Sequence, residues 1–126
     1  MHSSDPRILR IELPSGLPLL NANDRLHYRE RSKRTEKLRS EAYKAAKAQP
    51  FMPFTKVRLH CIFRAPDKRR RDVANLYPSF KACIDGLVDA GVLPDDNDRY
   101  VTEVCLVRGE DAPKKAQLIL QVIEAV

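Results

Sequence analysis

Between Asp67 and Asp98 the chain reads DKRRRDVANLYPSFKACIDGLVDAGVLPDDND, and within that stretch its charge reverses. Lys56 to Arg71 carries seven basic residues against Asp67, whereas Asp72 to Asp98 carries six acidic residues against Lys81. The stretch reads as an arginine-rich turn, an amphipathic helix and an acidic loop. Basic side chains hold a polyanion by neutralising phosphates, and clustered carboxylates beside them can hold the divalent cation that phosphodiester cleavage generally requires. The pattern points to a metal-dependent nuclease.

The elements around this stretch follow from periodicity. Arg7 to Leu13 alternates Leu9, Ile11 and Leu13 with Ile8, Arg10 and Glu12, a strand pattern ended by Pro14 and Gly16. Met1 to Pro6 reads as a frayed start and Leu17 to Tyr28 as a loop. Thr35 opens a helical run in which Leu38, Ala42, Ala45 and Ala46 repeat at helical spacing, with Ser32 or Thr35 as cap and Pro50 and Pro53 beyond its end. Residues 55–64 place Val57, Leu59, Cys61 and Phe63 on one face of a strand and a basic stripe with His60 on the other. A second helix, opened by Asn75 or by Pro78 in its first turn, carries Leu76, Phe80, Cys83, Ile84, Leu87 and Val88 as a core stripe, and Gly91 closes it. Tyr100 to Val107 and Ala116 to Ala125 read as strands, and the short connection Gly109 to Lys115 predicts that they pair as an antiparallel hairpin. The order β-α-β-α-β-β predicts an α+β fold: two helices packed on one face of a small mixed four-stranded sheet. A length of 126 residues suits one domain, residues 1–126.

Composition narrows the partners. The formal charge is +6, and Arg25 to Lys47 alone holds nine basic residues against three glutamates. Such a surplus favours nucleic acid or an anionic membrane. No apolar run reaches the roughly 20 residues of a spanning helix, and Met1 to Leu20 lacks the apolar core of a signal peptide, so no membrane partner is expected. Cys61, Cys83 and Cys105 sit singly among apolar neighbours and read as reduced core thiols of a cytoplasmic protein. His2, His27 and His60 have no partner at metal-ligand spacing, and no Ser-His-Asp set, phosphate loop or dinucleotide fingerprint is present. No organic cofactor is expected. Tyr28, Tyr77 and Tyr100 are candidates for stacking on unpaired bases.

The run RRRDVANL followed by FKACIDGLVDAGVLPDD resembles the signature of the RusA family of Holliday-junction resolvases, and Asn21 to Arg29 (N-x-N-x-R-x-x-Y-R) extends the likeness more weakly. The resemblance implies a homodimer that binds four-way DNA junctions and makes paired nicks with Mg²⁺ or Mn²⁺. By matching position it implies Asp72, Lys81 and Asp96 as catalytic residues, with Asp72, Asp96 and the adjacent Asp95 on the metal. Arg71 would contact DNA. With it we group the rest of the turn, Lys68, Arg69 and Arg70, and the basic residues Arg29, Arg31, Lys33 and Arg34.

The chain departs from the family pattern in three places. Asp72-Val73-Ala74-Asn75 stands where the family has D-x-D-N, so one expected carboxylate is Ala74. Three residues around Tyr77 to Ser79 are inserted before Lys81, and the family's junction-wedging aromatic falls near Ile84. Either Asp95, Asp98 or Asn75 completes the metal shell, or the site binds metal weakly and cuts slowly. A second helix of about eleven residues spans roughly 16 Å, so Asp96 must fold back toward the helix start or meet Asp72 across a dimer interface. The alternative functions are a branched-DNA-binding module that has lost efficient catalysis and, less favoured, an RNA-binding protein.

Overall fold

A computed structural model describes residues 5–110 and 114–125. His2 and most of the frayed start expected at Met1 to Pro6 lie outside these residues. In chain order the elements are β1 (Ile8–Glu12), α1 (Tyr28–Lys47), β2 (Val57–Arg64), a 3-10 turn (Val73–Leu76), α2 (Tyr77–Asp89), β3 (Val101–Arg108) and β4 (Gln117–Glu124). The four strands form one mixed sheet in the order β1-β4-β2-β3. This is the expected α+β architecture. No helix among the described residues is long and apolar enough to cross a membrane.

The expected hairpin between the last two strands does not form. β3 pairs parallel with β2, with Leu59 opposite Val104 and Cys61 opposite Leu106, while β4 lies between β1 and β2 and runs antiparallel to both. The side chains explain the exchange. Leu118, Ile119, Leu120, Val122 and Ile123 are all buried, so β4 is apolar on both faces and needs neighbours on both edges. In β3, Thr102, Glu103, Val104 and Val107 are exposed, which suits an edge. A parallel β2–β3 pair needs a long crossover, and the 3-10 turn and α2 supply it.

One sheet face is covered. Leu9, Ile11, Leu59, Cys61, Phe63, Leu118, Leu120 and Val122 face the same side by register and join Leu38, Ala42 and Ala46 of α1 and Phe80, Cys83, Ile84 and Leu87 of α2 in a single core. Burial pushes the Cys61 thiol up to about 12 and Cys83 higher still, which keeps both unreactive. The opposite face mixes Ile8, Arg10, Arg58, His60, Glu103 and Val107 around the buried Ile119 and Ile123.

Helix α1 begins at Tyr28 rather than near Thr35. The His27 imidazole accepts from Arg29 N at 3.2 Å and caps it. Its first two turns carry no apolar stripe because their inner side meets a loop instead of the core: Arg31 donates to Asp24 O at 3.2 Å and Arg34 to Leu19 O at 2.9 Å. That loop is also tied to α2. The fully buried Ser79 hydroxyl accepts from Leu20 N at 2.6 Å and donates to Leu20 O at 2.7 Å. Ser79→Ala leaves both backbone groups without a partner, at a cost of about 1–3 kcal/mol. Chemical denaturation should show that loss with an unchanged m-value.

Candidate active site

Three segments supply the charged groups. In the arginine turn Asp67 is the organiser: its carboxylate accepts from Arg69 N at 3.0 Å and pairs with the guanidinium groups of Arg71 at 2.9 Å and Arg69 at 3.2 Å. Arg108 at the end of β3 donates to the carbonyls of Asp67 and Arg69, fastening the turn to the sheet edge. Arg71, 6.0 Å from the Phe63 ring centre, is mostly covered, whereas Lys68, Arg69 and Arg70 are exposed.

The Arg71 hydrogen bond, aided by Arg69 N, holds the Asp67 carboxyl down at about 2. Because the folded value lies below the ordinary one of about 3.9, the resulting stabilisation is present above that pH and is lost as the pH falls toward the folded value. A ¹³C titration of the Asp67 carboxyl should therefore show a midpoint near 2. A midpoint at the ordinary value would mean that the turn is not closed in solution.

The second segment is the start of α1. Of its four expected DNA contacts, Arg31 and Arg34 brace the preceding loop and are half-buried; Arg29 and Lys33 are exposed. The third segment joins α2 to the acidic loop. The Lys81 ammonium lies 2.6 Å from Asp85 and 2.6 Å from Asp96. Burial works against that charge, but the two carboxylates outweigh it and hold Lys81 above the usual lysine range. In turn the hydrogen bond from Lys81 keeps Asp96 below the usual carboxylate range, against a smaller effect of burial.

The acidic loop thus folds back within its own chain as far as the second turn of α2, in the direction of the first of the two routes foreseen for Asp96, but it meets Lys81 there and not Asp72. Asp95 builds the turn: its carboxylate accepts from Asp96 N at 2.7 Å and from the Asn97 amide at 3.3 Å, while Asn97 Oδ1 accepts from Arg99 N at 3.0 Å. Asp98 is exposed in the same turn.

Asp72 caps the 3-10 turn, accepting from Ala74 N at 3.1 Å. It opens on a concavity of about 560 Å³ shared with Asn21, Asp24, Arg34, Arg71 and Asn75; Lys81, Asp95 and Asp96 are not on its wall. No hydrogen bond or ion pair among the described residues joins Asp72 to Asp96 or Lys81. Nor does any group of three or more His, Cys, Asp or Glu side chains converge there as a metal site. The Asp72 concavity still offers hard oxygens, the carboxylates of Asp24 and Asp72 and the amides of Asn21 and Asn75. Mg²⁺ takes one or two carboxylates with waters and phosphate oxygens, so the donors suit it in kind and number.

Several contributors escape sequence reasoning. Asp85 was readable, standing one helical turn after Lys81. Arg108, the capping His27 and Asp24 carried no local signal, because their partners are distant in the chain or are backbone groups. Ile84, at the position of the family's wedge, is 2% exposed and belongs to the core. No protein-family model matches the chain, and a search of curated proteins finds no match either.

Proposed function

We propose that the chain is a metal-dependent endodeoxyribonuclease of the RusA kind, resolving four-way DNA junctions as a homodimer in the cytoplasm. What supports this most is Lys81: an ammonium, 42% exposed, held between two carboxylates by a loop that returns fifteen residues later to meet it. A lysine on a merely solvated face has no reason to recruit a distant acidic turn. The arginine turn and the start of α1 add the exposed cations Lys68, Arg69, Arg70, Arg29 and Lys33.

Phosphodiester hydrolysis needs a positioned water, relief of charge on the phosphate and a stabilised leaving oxygen. Bound Mg²⁺ or Mn²⁺ supplies Lewis acidity toward the scissile phosphate. Asp72 and Asp24, which share one concavity, would hold that ion, and Asp95 shapes the turn that presents Asp96 to Lys81. Lys81 exchanges a carboxylate for a phosphate oxygen and places its charge where negative charge develops. Lys68, Arg69, Arg70, Arg29 and Lys33 neutralise strand phosphates, while Arg71, Arg31 and Arg34 hold the loops that carry the acids.

The binding-module alternative is favoured by Ala74 and by the lack of a three-acid cluster among the described residues. A labelled four-way junction incubated with Mn²⁺, then with Mg²⁺, separates the two. Symmetric nicks that disappear in Asp72→Asn are expected. Tight junction binding with no nick under either ion would overturn the nuclease in favour of the module.

A further inference from the structure

Tyr28 is 66% exposed, far more than Tyr77 at 42%, and it stands at the very start of α1. An aromatic ring so open at a helix end contributes little to the core, yet it is held in place. His27 lies beside it with ring centres 4.6 Å apart, and Arg29 reaches its hydroxyl at 3.4 Å with the guanidinium 5.9 Å from the ring centre. From this ring a shallow groove of about 590 Å³ runs along α1, lined by Arg29, Lys33 and Lys37 with the hydroxyls of Ser32 and Ser40; Glu36 is the one acid on its wall, and Lys37 also pairs with Glu41 at 3.4 Å, a contact it would exchange for phosphate. The three cations recur every fourth residue, so they form one row rising about 6 Å per step. A π-face at one end of an evenly spaced cationic row matches a strand whose phosphates follow the row and whose base lies on the ring.

We propose that this groove is a binding site for single-stranded or unpaired DNA, with Tyr28 as the stacking platform for one base and Arg29, Lys33 and Lys37 as phosphate contacts. Duplex DNA can use the cations but hides its base faces in the helical stack, so the tyrosine discriminates in favour of unpaired nucleotides. The site is distinct from the Lys81 cluster and lies outside the Asp72 concavity. It stands or falls independently of cleavage, although at a four-way junction it would receive a nucleotide released at the crossover.

The test uses the full chain in EDTA, so that no strand is cut, with an end-labelled oligothymidine and a duplex of equal length as probes. Fluorescence anisotropy should show Tyr28→Ala weakening the single strand by roughly 5- to 100-fold, with Tyr28→Phe close to the parent. Duplex affinity should change by less than about twofold. The chain has no tryptophan, so Tyr28→Trp installs a single reporter. Oligothymidine should quench it, whereas heparin, a polyanion without bases, should not. Unchanged single-strand affinity in Tyr28→Ala overturns the site, as does equal quenching by heparin or by phosphatidylserine vesicles. Because neither junction nor metal is present, failure here leaves the nuclease assay untouched, and a negative nuclease assay leaves this result standing.

Discussion

Lys81→Ala is expected to lower Mn²⁺-dependent nicking of a four-way junction by about a hundredfold or more, with junction binding in EDTA within about twofold of the parent. Single-turnover cleavage on a denaturing gel measures the first, and anisotropy the second. The ammonium is the cation that approaches both Asp85 and Asp96 to 2.6 Å. Removing it takes away the charge that would face the phosphate and the hydrogen bond that holds Asp96 below the usual carboxylate range. The effect on folding is small by comparison. All three side chains reach solvent, Lys81 at 42%, so screening limits what the ion pairs contribute to stability. A large loss of rate in a variant that melts close to the parent is thus the signature of a chemical role. Lys81→Arg should recover little, since a planar guanidinium does not replace a compact ammonium at this position. Parental cutting by Lys81→Ala would remove lysine from the chemistry.

The largest loss of stability among single-atom changes is expected at Gly86. Helix propensity alone predicts that alanine there would stabilise α2 by about 1 kcal/mol. Packing opposes this. A methyl group on Gly86 would run into the backbone carbonyl oxygen of Arg39 and come within 3.0 Å of the Ala42 methyl. Neither can step aside: the first belongs to the α1 backbone, and Ala42 is fully buried. Overpacking costs about 1–3 kcal/mol where side chains can adjust and more where they cannot. The net expectation for Gly86→Ala is a loss of about 2 kcal/mol or more, read as a lower urea midpoint. An equally stable Gly86→Ala would mean that the two helices stand further apart than described. The bidentate Arg39–Asp89 pair beside this contact is exposed and adds little to it.

Much of the fold was legible because its signals are local. The alternation in β2 and the stripe Leu76 to Leu87 depend on neighbours a few residues away, and both appear where the pattern places them. The start of α1 was hidden because Arg31 and Arg34 satisfy loop carbonyls where apolar residues would have announced a helix. The hairpin expectation failed because connection length says which strands can pair and not which do. The better clue was LILQVI in β4, apolar on both faces and therefore central. At the candidate site, a return of the acidic loop toward α2 was one of two routes open for bringing Asp96 to Asp72, but the contact it makes, with Lys81, was not foreseen. Nor was Asp24 beside Asp72, because it depends on how the Ser79 hydroxyl seats the chain near Leu20.

The position of β4 has a consequence for how the molecule comes into being. Among the described residues β1 pairs with β4 alone and β2 meets β1 only through it, so the sheet is incomplete until β4 is in place. A nascent chain halted before Gln117 can form helices but cannot seat its first strand, and the core residues of β1 and β2 stay open to solvent or to chaperones. β1, β4 and β2 consequently come together in one cooperative step, which urea unfolding should show as a single transition.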